Sequence, residues 1–201
     1  MADASKRVVF GISNVHYAVW DSETSAYGEC KAIPGAVSLS ISVEGDTSTF
    51  YADNGPYAVF SSNGGYTGEL AVAVLEDDAL VDLLGYKKDS NGLVVEDVKA
   101  VAPSFALTYE VSSNEKEQRF VFYNCTATRP EYEANTRSDS TDPDTQTLSL
   151  TMGARTFTDD NGNSVDAVKS SLVRDDKTST VKAAWDAWHT TVQKPSFPKS
   201  V

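Results

Sequence analysis

Basic residues are missing from a long stretch of this chain. Between Lys31 and Lys87 there is no Lys or Arg, while Glu44, Asp46, Asp53, Glu69, Glu76, Asp77, Asp78 and Asp82 all fall there. Eight units of the formal net charge of −12 therefore lie in that span. Phosphate affinity comes from Lys and Arg, so the deficit argues against sequence-specific DNA binding. It reads either as a solubility device or as a negative field concentrated on one face. Long hydrophobic runs are also missing. Nothing approaches the roughly 20 apolar residues that span a bilayer, so no membrane insertion is expected. Met1 to Arg7 has no apolar stretch behind its two charges, so no signal peptide is expected. Two cysteines, Cys30 and Cys125, are too few for a disulfide framework and are expected as reduced, buried thiols.

Catalytic signatures are absent too. There is no Gly-x-Ser-x-Gly, no His-Glu-x-x-His, no Cys-x-x-Cys and no glycine-rich phosphate loop opening a helix. The two histidines, His16 on a strand and His189 on the polar side of a helix, are expected to be structural. Two carboxylates could hydrolyse a glycoside, but no acid has an apolar setting that would raise its pKa. Glu69 and Glu110 read as solvent-facing strand residues. Asp159 to Ser164 has its glycine at the fourth position, where a calcium loop needs it at the sixth, so a hairpin turn fits better. The sequence thus implies no enzyme, no metal and no cofactor.

What is present is alternation. After Pro34-Gly35, which suits the centre of a type II turn, Val37, Leu39, Ile41 and Val43 point one way and Ser38, Ser40 and Ser42 the other. Period two means a strand with one dry face. An acidic corner, Glu44-Gly45-Asp46, follows, and Thr49 to Ala52 reads as the return strand. Tyr66 to Leu75 alternates through Leu70, Val72 and Val74. Thr147 to Met152 alternates through Leu148, Leu150 and Met152. Phe105 to Val111 and Arg119 to Thr128 form a hairpin, and Arg119 to Thr126 is apolar on both faces, as in a strand covered on both sides. Asp77 caps a short helix through Ala79, Leu80, Leu83 and Leu84, with Gly85 as its stop. Val181, Ala184, Trp185, Trp188 and Val192 give a second helix. Asn135 to Gln146 holds no hydrophobic residue, the composition of a functional or disordered loop. Tyr51, Tyr57, Phe60 and Tyr66 could form a sugar platform, although core and interface packing is the preferred reading. Together these imply a mainly β fold, an antiparallel sandwich or barrel with one or two flanking α-helices.

Beyond these patterns, the chain resembles the major tail proteins of long, non-contractile-tailed bacteriophages, the type common in phages of Gram-positive bacteria. The residues that carry the resemblance are Asn14 to Val19, Ile33 to Ser40, Glu44-Gly45-Asp46, Phe50 to Asn54, Gly64 to Leu70, Arg119 to Pro130 and Thr145 to Leu148. They run in family order from about Val9 to Val192. The resemblance implies one tail-tube domain over residues 1–201, with 1–9 an extended arm and 194–201 a loose tail. It implies stacked hexameric rings that pass duplex DNA without specific binding. It implies a tape-measure protein and terminator and distal tail proteins as partners, and a place in the virion after synthesis in the host cytoplasm. In that setting Ser38, Ser40, Ser42 and Glu44 are expected to face the lumen. Two loops are expected at contacts between rings or subunits: one with Asp53, Asn54, Tyr57 and Asn63, the other with Arg137, Asp139 and Asp142. The competing reading is a carbohydrate-binding β-sandwich from a tail tip or adhesin, which needs an exposed aromatic platform.

Overall fold

The computed structural model describes residues 9–52, 54–113, 116–130, 144–158 and 162–197. The chain starts with a long strand, β1 (Val9–Asp21), onto which the short β2 (Ala26–Tyr27) and β3 (Lys31–Ala32) fold back. Next come β4 (Ala36–Glu44), β5 (Thr47–Ala52), β6 (Gly55–Ser61) and β7 (Gly65–Val72), then α1 (Asp77–Leu84). A small hairpin of β8 (Lys87–Lys88) and β9 (Val94–Val95) leads to β10 (Phe105–Ser113), β11 (Gln118–Ala127) and β12 (Gln146–Gly153). The hairpin of β13 (Arg155–Thr158) and β14 (Ser164–Ala167), β15 (Lys169–Val173) and α2 (Ser179–Asp186) complete the order.

The main sheet is antiparallel, in the order β2-β1-β10-β11-β12-β7-β4, and β15 also pairs with β11. Because β1 also touches β4, the sheet curls toward a barrel. Its inner face holds a core that includes Tyr17, Leu70, Val72, Leu107, Phe122 and Leu148, and α1 contributes Ala79, Leu83 and Leu84 to it. Each fully buried side chain of this kind stabilises the fold by about 1.5–3 kcal/mol. The outer face of β10 and β11 carries a second core, in which Ala106, Val121 and Tyr123 meet Phe157 of β13 and Trp188. β11 is therefore covered on both faces, as its two-sided apolar pattern predicts.

β11 also divides the sheet. Phe105 lies opposite Cys125, but Leu107 lies opposite Phe122, so β11 has one extra residue at that point. Such a bulge bends a strand and increases its twist. On the far edge of β11, β15 pairs with Gln118 to Phe122 and β12 with Asn124 to Ala127. The bulge marks the change of partner.

Several elements differ from the sequence expectations. In β4 only Ala36, Leu39 and Ile41 are half-buried; Val37 and Val43 are exposed. β4 is an edge strand whose pairing with β7 shifts between Ala36 and Ser38, and it runs past the core at its far end. Glu44-Gly45-Asp46 is not a turn-back. The chain continues outward, and the return comes at Asn54, whose φ is 63°. Thr49 to Ala52 pairs with β6 rather than β4. Val74 lies beyond β7 and is exposed. Glu76 takes the N-cap position, leaving Asp77 as the first helical residue, where a carboxylate still favours the helix dipole. Gly85 stops α1 as expected, with φ 74° and its N–H donating to the Val81 carbonyl at 3.0 Å. α2 ends at Asp186 and passes into turns, yet Trp185 and Trp188 are both buried. Cys30 is half-buried rather than buried; Cys125 is buried, and both are free thiols. Glu110 is buried, not solvent-facing.

Candidate functional site

Period-two alternation sends every second residue of β4, β7 and β12 away from the inner core. The register lines these outward residues up in rows. Ser42 lies opposite Thr67, which lies opposite Thr151, which lies opposite Thr126 of β11. Ser40, Glu69 and Ser149 form the next row, and Ser38, Ala71 and Thr147 the third. The result is a patch of small hydroxyl side chains across four strands, with Glu69 inside it and Glu44 at its rim. Thr67 donates its hydroxyl to the Glu44 carboxylate at 2.8 Å. No Lys or Arg occupies any of these positions. Such a surface offers a phosphate no cation, and its two carboxylates repel one weakly.

From the edge of this patch the β4–β7 ribbon continues outward as the β5–β6 hairpin. Gly45 and Gly64 allow the exit. Gly64 N–H bonds the Glu44 carbonyl at 2.8 Å, and a Cβ on Gly45 would fall 2.3 Å from the Ser62 carbonyl oxygen. β5 and β6 pair only with each other among the described residues, and at about 3.4 Å per residue the arm is roughly 20 Å long. Phe50, Tyr51, Tyr57, Val59 and Phe60 are all exposed on it. An isolated two-stranded hairpin is marginal in water, so this arm needs a surface to lie on. Of the four aromatics of the sugar-platform reading, Tyr66 is half-buried against Phe122 and does not join the exposed set on the arm. Core packing fails as an account of Tyr51, Tyr57 and Phe60.

A third cluster lies where the segment after α2 crosses β1, β10 and β11. Arg119 Nε donates to Glu110 Oε2 at 2.7 Å, and its other arm donates to the Trp185 carbonyl while the guanidinium stacks 3.9 Å from the Trp185 ring. Asn14 Nδ2 reaches Glu110 at 3.4 Å. His189 stacks on His16, with ring centroids 4.5 Å apart. Burial alone would raise the pKa of Glu110; Arg119 and Asn14 overcome it and hold the carboxylate below its ordinary range. Burial, with Arg119 and His16 nearby, pushes His189 down to about 4, against the pull of Glu110. Both ring nitrogens of His189 are buried without a hydrogen bond. The cluster joins three strands to the C-terminal segment. Among the described residues no group of three or more His, Cys, Asp or Glu could hold a metal, and no helix is long and apolar enough to cross a membrane.

A model of the family described as phage tail tube protein matches residues 2–192. The chain belongs to the phage tail tube protein family. No curated protein matches it. A solved cryo-EM structure of an anti-feeding prophage cap, an AFP tube terminating cap, aligns over 87% of this chain and 100% of its own, at 11% identity and a TM-score of 0.41. The family makes this a structural protein of the phage tail, and the mainly antiparallel β architecture agrees with the class expected from the sequence.

Within this tail tube protein, Ser38, Ser40, Ser42 and Glu44 are all exposed on one strand. Sequence reasoning missed their companions Thr67, Glu69, Ser149, Thr151 and Thr126. The alternation of β7 and β12 contained that signal, but only the register shows that the hydroxyl faces coincide. Asn54 and Tyr57 lie on the hairpin arm and Asn63 at its root. Asp53, Arg137, Asp139 and Asp142 lie outside the described residues.

Proposed function

We propose that the chain is the wall subunit of a tail tube. Copies join head to tail into rings, hexameric on the family resemblance, and the rings stack around a bore through which duplex DNA passes. The hydroxyl patch of β4, β7, β12 and β11 lines the bore. The observation that carries this reading is a surface across four strands that holds hydroxyls and two carboxylates and no cation. A basic lining would hold DNA by releasing its counterions; this one lets it slide. The exposed β5–β6 arm supplies contacts between subunits, as does the loop with Arg137, Asp139 and Asp142. Edge strands such as β4, hazardous in a monomer, serve as joints in a closed assembly. A tape-measure protein inside the tube and terminator and distal tail proteins at its ends are the remaining partners. The tube resides in the virion after synthesis in the host cytoplasm.

The test is to polymerise the purified chain, view it by negative-stain microscopy, and compare wild type with Ser40→Lys/Ser149→Lys. Wild-type tubes should retain no added duplex DNA, and the variant tubes should retain it in a salt-sensitive way. Variant tubes that retain none would refute the bore assignment, and wild-type chains that stay monomeric would refute self-assembly.

A further inference from the structure

Residues 179–193, α2 and the turns after it, lie as a strap across the outer face of β1, β10 and β11. Among the described residues no backbone hydrogen bond joins this strap to a strand. Side chains hold it instead. Arg119 donates to the Trp185 carbonyl and stacks on that ring, Tyr123 Oη donates to the Gln193 carbonyl at 3.0 Å, and His189 stacks on His16. Trp185 and Trp188 are buried, Trp188 among Ala106, Val121 and Tyr123. The polar part of the contact is incomplete. Thr108 Oγ1 of β10, opposite His16 in register, is buried without a hydrogen bond, as are Trp188 Nε1 and both ring nitrogens of His189. Each loses its hydration with no bond to offset the loss. α2 is eight residues long, too short to be a stable helix by itself, so the order of the strap depends on its docking.

We propose that this strap is an acid-released clasp: protonation of the stacked His16–His189 pair lifts it from the sheet while the sheet itself stays folded. The charges around His189 set the direction. It faces His16 from β1, Glu110 from β10 and Arg119 from β11, while on α2 Lys182 and Asp186 pair with each other at the surface. Glu110 is already engaged by Arg119 at 2.7 Å and lies 3.7 Å from His189 Nε2. A proton on His189 therefore sets a second cation beside Arg119, in a layer that gives it no hydrogen bond. A proton on His16 as well adds a like charge across the 4.5 Å stack. Once the strap is off, His189 is in water and titrates near its ordinary 6.5, against about 4 when docked. Release therefore takes up a proton, and it is roughly twentyfold more favourable at pH 5 than at pH 7. The surface it uncovers is apolar, since Ala106, Val121, Tyr123 and Phe157 share one core with Trp188.

Hydrogen–deuterium exchange of the full-length chain, below the concentration at which polymers form, separates release of the strap from unfolding of the sheet. The amides of Ala187, Trp188, Thr190 and Thr191 donate to carbonyls of the strap itself, so they exchange when it lets go. The amides of Leu107 on β10 and Val121 on β11, both fully buried, exchange when the sheet unfolds. With rates corrected for the intrinsic effect of pH, protection of the strap amides should lie below that of the sheet amides at pH 7 and fall roughly twentyfold by pH 5. His189→Gln, which cannot take up the proton, should remove most of that fall. Strap protection that stays the same from pH 7 to pH 5 in wild type overturns the clasp. So does strap protection equal to that of β10 and β11 at both pH values, because the strap then opens only with the whole fold. A His189→Gln chain whose strap protection falls as steeply as that of wild type overturns it as well.

Discussion

Replacing Arg119 by Met should destabilise the fold more than most single changes at a polar residue. The side chains of Arg119 and Glu110 are 13% and 9% exposed, and their charged atoms lie 2.7 Å apart. Removing the guanidinium leaves Glu110 buried, with only Asn14 at 3.4 Å and His189 Nε2 at 3.7 Å. Breaking one partner of a buried pair costs about 3–5 kcal/mol. The lost stacking on Trp185 adds roughly 0.5–2 kcal/mol. For a chain of this size about 3–5 kcal/mol corresponds to a fall of roughly 6–20 °C in Tm. The assay is urea unfolding followed by tryptophan fluorescence, below the concentration at which polymers form. The slope m should be unchanged, because the surface exposed on unfolding is the same. The penalty comes from an orphaned charge, so it has two further signatures. Glu110→Leu/Arg119→Met should recover most of the loss, since an apolar pair can replace a buried ion pair. Arg119→Met should also lose less at pH 4.5 than at pH 7, because the stranded carboxyl can then take up a proton. A loss under about 1 kcal/mol, the value of an exposed pair, would refute the reasoning. So would a double variant no more stable than the single one.

Two other predictions concern the same fold. The folded-state pKa of His189 lies below its unfolded value of 6.5, so unfolded chains bind more protons than folded ones as pH falls between 6.5 and about 4. Wild type should therefore lose stability across that window, with the loss of the Glu110 contribution beginning as the pH falls into the ordinary carboxylate range and continuing below it, and His189→Asn should flatten the upper part of the decline; equal urea midpoints for wild type at pH 7 and pH 5 would contradict the burial of His189 between His16, Arg119 and Glu110. Leu148→Ala, at a side chain 1% exposed, should cost about 2–5 kcal/mol, while Val43→Ala, at one 74% exposed, should stay within about 0.5 kcal/mol, both read from urea midpoints.

The strands that can be read from the sequence are those whose pattern has one cause. β12 alternates because one face is buried, and β11 is apolar on both faces because two cores meet on it. α1 ends where Gly85 ends it. Misreadings arise where one signal has two uses. Gly45 and Asp46 are turn residues, but Gly45 is there because the ribbon passes too close to the Ser62 carbonyl for a Cβ. Val37 and Val43 keep the period of β4 although the core ends before them. β13, β14 and β15 are short and largely polar, and what makes them strands is pairing with one another and with β11, a tertiary fact. Likewise His16 and His189 are far apart in sequence, and no local spacing announces that their rings stack.

The candidate site was half legible for the same reason. A hydroxyl face on β4 alone is an unremarked surface. It becomes a site only when β7, β12 and β11 extend it, and that depends on register. The same ribbon that lays Ser38 to Glu44 on the patch leaves the sheet as the β5–β6 arm. Under the proposed function, bore lining and joint therefore belong to one continuous element. Under that reading, an arm in contact with a neighbouring copy fixes where the hydroxyl rows of its own subunit lie relative to that copy. Under the same reading a base is disfavoured at the patch positions of β4 and β7. On the patch a cation would hold DNA. A Lys scan across β4 and β5 should separate the two roles of the proposed function: salt-sensitive DNA retention where the cation lies on the patch, and lost polymerisation where it disturbs the arm.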